Sequence, residues 1–395
     1  MFSGLYFHHS LSCFYTMKFR TKSIHVGNQK DPLTGSVVPP IYSASTFVQP
    51  AAGEFGEFDY SRTANPTRRN LETTISALES GCGALAFASG MAATHGAMMI
   101  LNHGDHIIAG TDIYGGTYRL LHKVCHKVGI EVTLANTTDP KQLDAAIRPN
   151  TKLLWLESPG NPLMSITDIA KCVQWAKKHQ LLVGVDNTLA TPVLTRPLEL
   201  GADIVQHSAT KYLGGHSDAL GGLLVVKDPS LHEQLHYLQN ATGGVMSPWD
   251  AFLISRGIKT LDLRMRQHCE NASQIAAFLE SHDRVERVYY PGLESHPGME
   301  IAQQQMDGGF GGMISFEVVG EFADAKKIVD QTQLFQLAVS LGAVESLIEH
   351  PASMSHASYD REDRLKHGIS DSLIRLSVGI ENVEDQLSDL ELALS

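Results

Sequence analysis

The sequence is sparing with cysteine and shows no cysteine pattern. Cys13, Cys82, Cys125, Cys172 and Cys269 are scattered over 395 residues, odd in number and without a C-x-x-C pair. That argues against a disulfide framework or a thiolate zinc site and points to buried thiols in a reducing, cytoplasmic setting. No apolar run approaches the ~20 residues needed to span a bilayer. No basic block occurs, and a net charge of −12 argues against nucleic acid or an acidic membrane surface as partner. No G-x-G-x-x-G fingerprint follows the first strand. Gly81-Cys82-Gly83 precedes that strand, the wrong order for a nicotinamide-binding turn. The GGFGG stretch at 308–312 has no helix directly after it and reads as a bend before a strand. With 43% hydrophobic and 19% charged residues the chain can bury a large core, and its length suggests two to three domains.

The first sixteen residues are aromatic-rich but lack a basic n-region and a long apolar core, so no signal peptide is expected. Residues 1–16 are expected to be a poorly ordered extension upstream of Met17. Residues 17–65 read as an arm, because Pro32, Gly35, Pro39, Pro40, Pro50 and Gly53 recur too often for regular elements. From residue 66 to about 260, helical stretches separate several apolar runs, which implies a largely parallel sheet. Helices are expected at 70–78 and 92–101, and strands at 84–88, 106–109, 131–135, 153–157, 182–186, 203–207 and 223–226. A hinge helix, RGIKTLDLRM, leads into a smaller α/β domain at 261–395. Its expected elements are helices 269–281, 323–331 and 383–394 and strands 285–289, 313–317 and 373–379. His122, Cys125 and His126 sit at helical spacing, but lysines flank them and no third ligand cluster is near, so no metal is expected.

The chemistry gathers at residues 205–216, VQHSATKYLGGH. An apolar run enters this stretch like a buried strand, then Ser208, Thr210 and Lys211 replace the apolar residues. The lysine is either a surface residue of a polar loop or a desolvated amine with a lowered pKa, as Schiff-base chemistry requires. Upstream, LLVGVDN at 181–187 is another apolar run, closed by the lone carboxylate Asp186. Both groups fall at carboxyl ends of strands, where open α/β sheets bind ligands. Pyridoxal 5'-phosphate (PLP) needs such a pair: a lysine to form an imine and a carboxylate to keep the pyridine nitrogen protonated. Ser89-Gly90-Met91 lies between a strand and a helix, and backbone N–H groups at such a turn suit an anion. Tyr60 and Arg62, two apart in FDYSRTANPT, project to one side of an extended chain, as an ordinary surface pair, which the spacing alone favours, or as donors that suit a phosphate. Arg375 interrupts the apolar run SLIRLSVG and must find an anionic partner or face a cleft.

VDNT followed by SATKY resembles the Cys/Met-metabolism family of PLP enzymes, from about Thr21 to the C-terminus. The resemblance implies an α/β fold of the aspartate-aminotransferase-like type (fold type I), with a large, mostly parallel-sheet domain and a smaller C-terminal α/β domain. It implies PLP held by Gly90, Met91, Asn161, Asp186, Ser208, Thr210 and Lys211, with Tyr114 stacked on the ring. Tyr60 and Arg62 would cross to the neighbouring subunit's cofactor phosphate, in a homotetramer built as a dimer of dimers. Lys211, Tyr114 and Asp186 would be catalytic, and Ser340 and Arg375 would hold a small sulfur amino acid. The implied activity is carbon–sulfur lysis of L-cystathionine or L-methionine to a 2-oxo acid and ammonia. The alternative is γ-replacement, as in cystathionine γ-synthase or an O-acylhomoserine sulfhydrylase. Signals for the substrate conflict. Val339 stands where the γ-synthases and cystathionine γ-lyases usually carry glutamate, which tilts towards methionine γ-lyase or a β-lyase type of pocket. Gly116 replaces the cysteine usual in methionine γ-lyases, and Gln239-Asn240 looks more like cystathionine γ-lyase. HPASMSHASY and RGIKTLDLRMRQHC look most like methionine γ-lyase.

Overall fold

The computed structural model describes residues 17–355, 357 and 360–395. The expected extension at 1–16 lies outside the described residues, as do His356, Ser358 and Tyr359 of the HPASMSHASY motif. In the arm, one short helix forms at Phe19–His25, where the proline and glycine pattern predicts none.

The first long helix runs Pro66–Leu78 and begins before its apolar pattern does. Its start is set by chemistry at the end of the arm. The Asn65 side chain accepts the N–H groups of Thr67 (2.9 Å) and Arg68 (3.3 Å), and Pro66 occupies a first-turn position where no N–H is needed. Seven strands follow: β1 Gly83–Phe87, β2 His106–Gly110, β3 Glu131–Ala135, β4 Thr151–Glu157, β5 Leu182–Asp186, β6 Ile204–Ser208 and β7 Gly222–Val226. They form one sheet in the order β1-β7-β6-β5-β4-β2-β3. Only β7 runs against its neighbours, because the 209–221 connection from β6 carries no crossover helix. The other pairings around β2, β4, β5 and β6 are parallel. Helices cover both faces, so the central strands read as continuous apolar runs. On one face Trp155 is fully buried over Gly184, where a Cβ would come within 2.5 Å of the indole.

Five more strands form a second sheet, β8 Val285–Tyr289, β9 Met313–Val318, β10 Gln336–Leu337, β11 Leu347–Glu349 and β12 Leu373–Ser377, in the order β10-β11-β12-β9-β8. Helices Leu261–Glu280, Phe322–Gln331 and Val383–Leu394 pack on it through Ala272, Ile275, Ile328 and Leu390. The expected hinge helix is two helices, Pro248–Ile258 and Leu261–Glu280, broken at Lys259-Thr260. The second starts well before residue 269 because its first turns bury polar groups, which hides it from an apolar pattern. Asp262, Arg264 and His268 are all buried. Arg264 closes the break, donating to the carbonyls of Tyr212 (2.7 Å) and Gly257 (2.8 Å) and to the Thr260 hydroxyl (3.2 Å).

The histidine-bearing stretch is not a regular α-helix. A π turn at Leu120–Val124 passes into a 3-10 turn at Cys125–Val128, so His122 and His126 do not share one α-helical face. His122 instead packs on Tyr118, ring centroids 4.4 Å apart. No helix among the described residues is long and apolar enough to cross a membrane.

The ends of β5 and β6 are tied from beneath by a fully buried polar group. Glu79, just past helix Pro66–Leu78, accepts from the Asn187 side chain (2.9 Å) and bonds His207 Nε2 (2.7 Å). Removing the carboxylate leaves His207 Nε2 without a partner away from water and takes one of the two bonds of the Asn187 amide, which keeps the Thr195 carbonyl. Glu79→Ala is therefore expected to lower unfolding free energy by about 3–5 kcal/mol, measured by urea denaturation of the apoprotein. Glu79→Gln, which retains an acceptor, should lose less.

Candidate functional site

A cavity of about 410 Å³ opens at the carboxyl ends of β4, β5 and β6. Gly90, Met91, Tyr114, Asn161, Asp186, Ser208, Thr210, Lys211, Ser340 and Arg375 all line it. Tyr60 and Arg62 do not. They lie in a tight turn, not in the extended chain that their spacing suggests: the N–H groups of Thr63 and Ala64 donate to the Tyr60 carbonyl at 2.9 and 3.1 Å. Arg62 sits 5.6 Å from the centroid of the Tyr60 ring and donates to the Asn240 side-chain oxygen (3.1 Å) and main-chain carbonyl. Both residues are exposed.

One wall of the cavity suits an anion. Ser89 caps helix Gly90–Met98 by accepting the Ala92 N–H at 3.1 Å, so Gly90 and Met91 are the first helical residues and not a turn ahead of residue 92. The N–H groups of a first helical turn have no intrahelical acceptor. Two glycines bring the strand ends against this turn. A Cβ at Gly90 would meet Ser208 Cβ at 2.9 Å, and one at Gly222 would meet the Ser89 carbonyl oxygen at 2.1 Å. The Ser208 hydroxyl is thereby held beside the helix N-terminus. The Thr210 hydroxyl accepts the Gly221 N–H at 3.1 Å, which fixes the loop that carries Lys211.

The floor is acidic. Asp186 is buried and accepts the Thr188 N–H at 3.0 Å, while the Thr188 hydroxyl accepts the Ser208 N–H at 2.8 Å. Burial pushes the Asp186 carboxyl above the usual range, against the pull of its Thr188 hydrogen bonds and of His207. Glu157 closes the neighbouring strand β4 and accepts the Tyr114 N–H at 2.8 Å.

The second sheet supplies the opposite wall. Lys211 Nζ donates to the Ser340 hydroxyl. The Ser340 carbonyl accepts from Arg375 Nη2 at 2.8 Å, with the serine backbone in the left-handed region at φ +95°. Arg375 both faces the cavity and finds an anion: its Nη1 lies 3.1 Å from Glu349 Oε1 and donates to Asn161 Oδ1 at 3.0 Å. Ser355 donates to the same Glu349 oxygen at 2.7 Å. Desolvation, with the like charge of Arg375, pushes Lys211 down to about 8, while Glu349 pulls the other way.

Glu157, Thr188, Gln206, Arg119 and Glu349 also line the cavity and escape the sequence analysis. The signal that exposes Asp186, a lone carboxylate closing an apolar run, applies equally to Glu157 in WLESPGNP. Arg119 and Glu349 carry no such signal.

In the apoprotein, Lys211 should react with an amine reagent with a midpoint near pH 8, read by peptide mass spectrometry across a pH series. Arg375→Leu removes a repelling cation and should raise that midpoint. Glu349→Gln removes an attracting anion and should lower it. Shifts in the reverse order would contradict this electrostatic account.

The Cys/Met metabolism PLP-dependent enzyme family matches residues 20–395. The chain is 53% identical over 378 residues to a cystathionine gamma-lyase of Bacillus subtilis, covering 96% of this chain and 99% of the relative. It is 52% identical over 376 residues to a cystathionine beta-lyase of Coxiella burnetii, covering 95% and 97%. At 50% identity over 376 residues, covering 95% and 96%, a relative from Mycobacterium bovis is named cystathionine gamma-synthase. A crystal structure of cystathionine gamma-lyase from Lactobacillus plantarum, complexed with L-serine, superposes with a TM-score of 0.93 at 49% identity, covering 95% of this chain and 98% of that one. The donor set built here is what PLP asks for: free helix-terminal N–H groups and a hydroxyl for a phosphate, a buried carboxylate for a ring nitrogen, and a lysine amine of lowered pKa. Lineage and donor chemistry agree, and the chain belongs to the Cys/Met-metabolism family of PLP-dependent enzymes.

Proposed function

We propose that this enzyme is a carbon–sulfur lyase acting on L-cystathionine, releasing a thiol, ammonia and a 2-oxo acid. The observation that carries the choice of substrate is Arg119. It lies on the cavity wall at the end of helix Gly115–Arg119 and has no ion-pair partner among the described residues. With Arg375, the cavity then offers two cations on different walls. Cystathionine has two carboxylates and methionine one, so Arg119 has a partner only in the larger substrate. Gly116 points the same way. A Cβ there would meet the Tyr114 ring at 2.3 Å and the Met91 sulfur at 2.8 Å, which leaves no room for a cysteine side chain in this arrangement.

In this reading Gly90, Met91, Ser208 and Thr210 hold the cofactor phosphate, Asp186 its ring nitrogen and Asn161 its phenolic oxygen, while Lys211 is the attachment point. When bound, PLP supplies an electron sink that weakens the bonds at the substrate's Cα. Arg375 holds the α-carboxylate. Lys211, free of its proton above about pH 8, takes the Cα proton and, for γ-cleavage, carries a second one from Cβ. Tyr114, exposed at the cavity mouth, gives a proton to the departing sulfur. Residues 66–260 form the cofactor domain and 261–395 a smaller domain that brings Ser340 and Arg375. The arm, 17–65, carries Tyr60 and Arg62 to the partner subunit's phosphate, in keeping with their place outside their own cavity.

One observation favours methionine as a second reading. Val339, 60% exposed beside Ser340, lines the cavity with an apolar side chain where a distal ammonium would seek a carboxylate.

Product analysis with L-cystathionine and L-methionine in parallel, without added thiol, tests the proposal. Pyruvate with homocysteine would mark β-cleavage, and 2-oxobutyrate with cysteine γ-cleavage. Methanethiol as the main product would transfer the substrate to methionine. No product from either, with turnover of an O-acylhomoserine plus thiol, would move the enzyme to γ-replacement. Arg119→Leu should raise KM for cystathionine at least about tenfold and leave methionine kinetics nearly unchanged. Mixing inactive Lys211→Ala and Arg62→Ala subunits should restore activity, because a mixed dimer rebuilds one complete site. Failure of the mixture under conditions of subunit exchange would sink the crossed-arm reading.

A further inference from the structure

Glu157 stands directly across the β4–β5 register from Asp186, and both carboxyl groups line the cavity. Register partners on neighbouring strands project to the same face, so the two acids are side by side. Glu157 is 7% exposed and Asp186 8%, and neither can spread a charge into water. Their partners differ. Asp186 accepts from Thr188 and lies in the field of His207 on β6. Glu157 accepts a single N–H, that of Tyr114, and the groups acting on its charge are Asp186 and Asp112, both carboxyls. Asp112 follows β2 and is engaged by Ser165, whose hydroxyl donates to it at 2.5 Å. Adjacent buried carboxylates do not both ionise near neutral pH. The donors beside Asp186 decide which one holds the charge, and burial with the two neighbouring acids pushes Glu157 well above the usual carboxylate range.

The bond from Glu157 also bears on the ring of Tyr114. Tyr114 is the residue before helix Gly115–Arg119 and makes no side-chain cap of its own. Gly116 lies under its ring so closely that only a hydrogen fits between them. The Tyr114 main chain therefore sets where its ring lies, and Glu157 holds that main chain from the floor.

We propose that Glu157 is a positioning residue that works as a neutral acid, anchoring Tyr114 over the cavity and leaving Asp186 the one ionised carboxylate that faces the cofactor ring. The proposal rests on the roles given to Tyr114 and Asp186 under the proposed function. Its chemistry is that of a proton retained: the carboxyl keeps its hydrogen and its carbonyl-type oxygen still accepts the Tyr114 N–H.

Glu157→Gln and Glu157→Ala decide it, each studied with and without PLP. A carboxyl protonated in the folded chain and ionised in the unfolded one binds an extra proton on folding, so apoprotein stability falls as pH rises above the unfolded carboxylate range, about 4.3. That component should vanish in Glu157→Gln, whose urea midpoint should fall less than the wild type's between about pH 5 and 8. In the holoenzyme, Glu157→Gln should leave the pH midpoint of the visible cofactor band within about 0.3 unit and kcat within about threefold. Glu157→Ala should lower kcat by about ten- to a hundredfold through a displaced Tyr114. The proposal is overturned if Glu157→Gln shifts the band midpoint down by about a unit or more, because an ionised group was then removed. It is equally overturned if Glu157→Gln matches Glu157→Ala in kcat or does not fold. A wild-type protein without a visible cofactor band would refute the assignment of the site itself, and the apoprotein pH slope would still report whether Glu157 keeps its proton.

Discussion

A lysine amine can act as a nucleophile and base near neutral pH only if water is kept from it and no carboxylate locks it as an ammonium. The structure meets that constraint at Lys211 by arranging charges around Arg375. Glu349 is paired with Arg375, and Lys211 hydrogen-bonds the neutral Ser340 hydroxyl. The antiparallel register that sets Glu349 opposite Arg375 thus pairs with the guanidinium the anion that would otherwise hold the amine protonated. Ser340 joins both halves of the arrangement, its hydroxyl to Lys211 and its carbonyl to Arg375, and does so from a strained backbone. The PLP-dependent chemistry of the family needs such an amine.

The two sheets divide the work. The mostly parallel sheet brings Gly90, Asp186, Ser208 and Lys211 together because every strand but β7 ends on the same side, with Asp186 and Ser208 closing β5 and β6. The second sheet contributes Ser340, Glu349 and Arg375 from β11, β12 and the loop before them. Asp186, Ser208, Glu349 and Arg375 sit on strands, and close glycine contacts at residues 90 and 222 press the strand ends onto the helix N-terminus.

Much of this was legible in one dimension. Arg375 stands out because it interrupts an apolar run, Asp186 because it closes one and Lys211 because it follows one, and a polar group at such a place requires a reason. β3 and β5 fall at their expected residues because apolar or β-branched residues dominate them, and β8, VERVY, because valines and a tyrosine flank its two charges. What escaped depends on pairing in space. Glu349 and Arg119 have meaning only once register and helix direction bring them to the cavity. The early start of helix Leu261–Glu280 was hidden because Asp262, Arg264 and His268 are polar yet buried. The turn at Tyr60–Arg62 does not show in the sequence because its local bonds to the Tyr60 carbonyl are supported by Asn65, Arg68 and Asn240, which the two-residue spacing does not reveal.

Helix Pro66–Leu78 has a property that neither of its ends reveals alone. At its N-terminus, Asn65 binds the Ser61 hydroxyl and Arg68 the Ser61 and Arg62 carbonyls. Just past its C-terminus, Glu79 grips Asn187 and His207, neighbours of Asp186 and Ser208. Its 13 residues make a strut about 20 Å long with a hydrogen-bonded joint at each end. The strut cannot shorten without losing backbone bonds, so it links the position of the Arg62 turn to that of the strand ends. If the arm docks on a partner, the seating of one subunit's arm and the shape of that subunit's own cavity floor are a single mechanical variable.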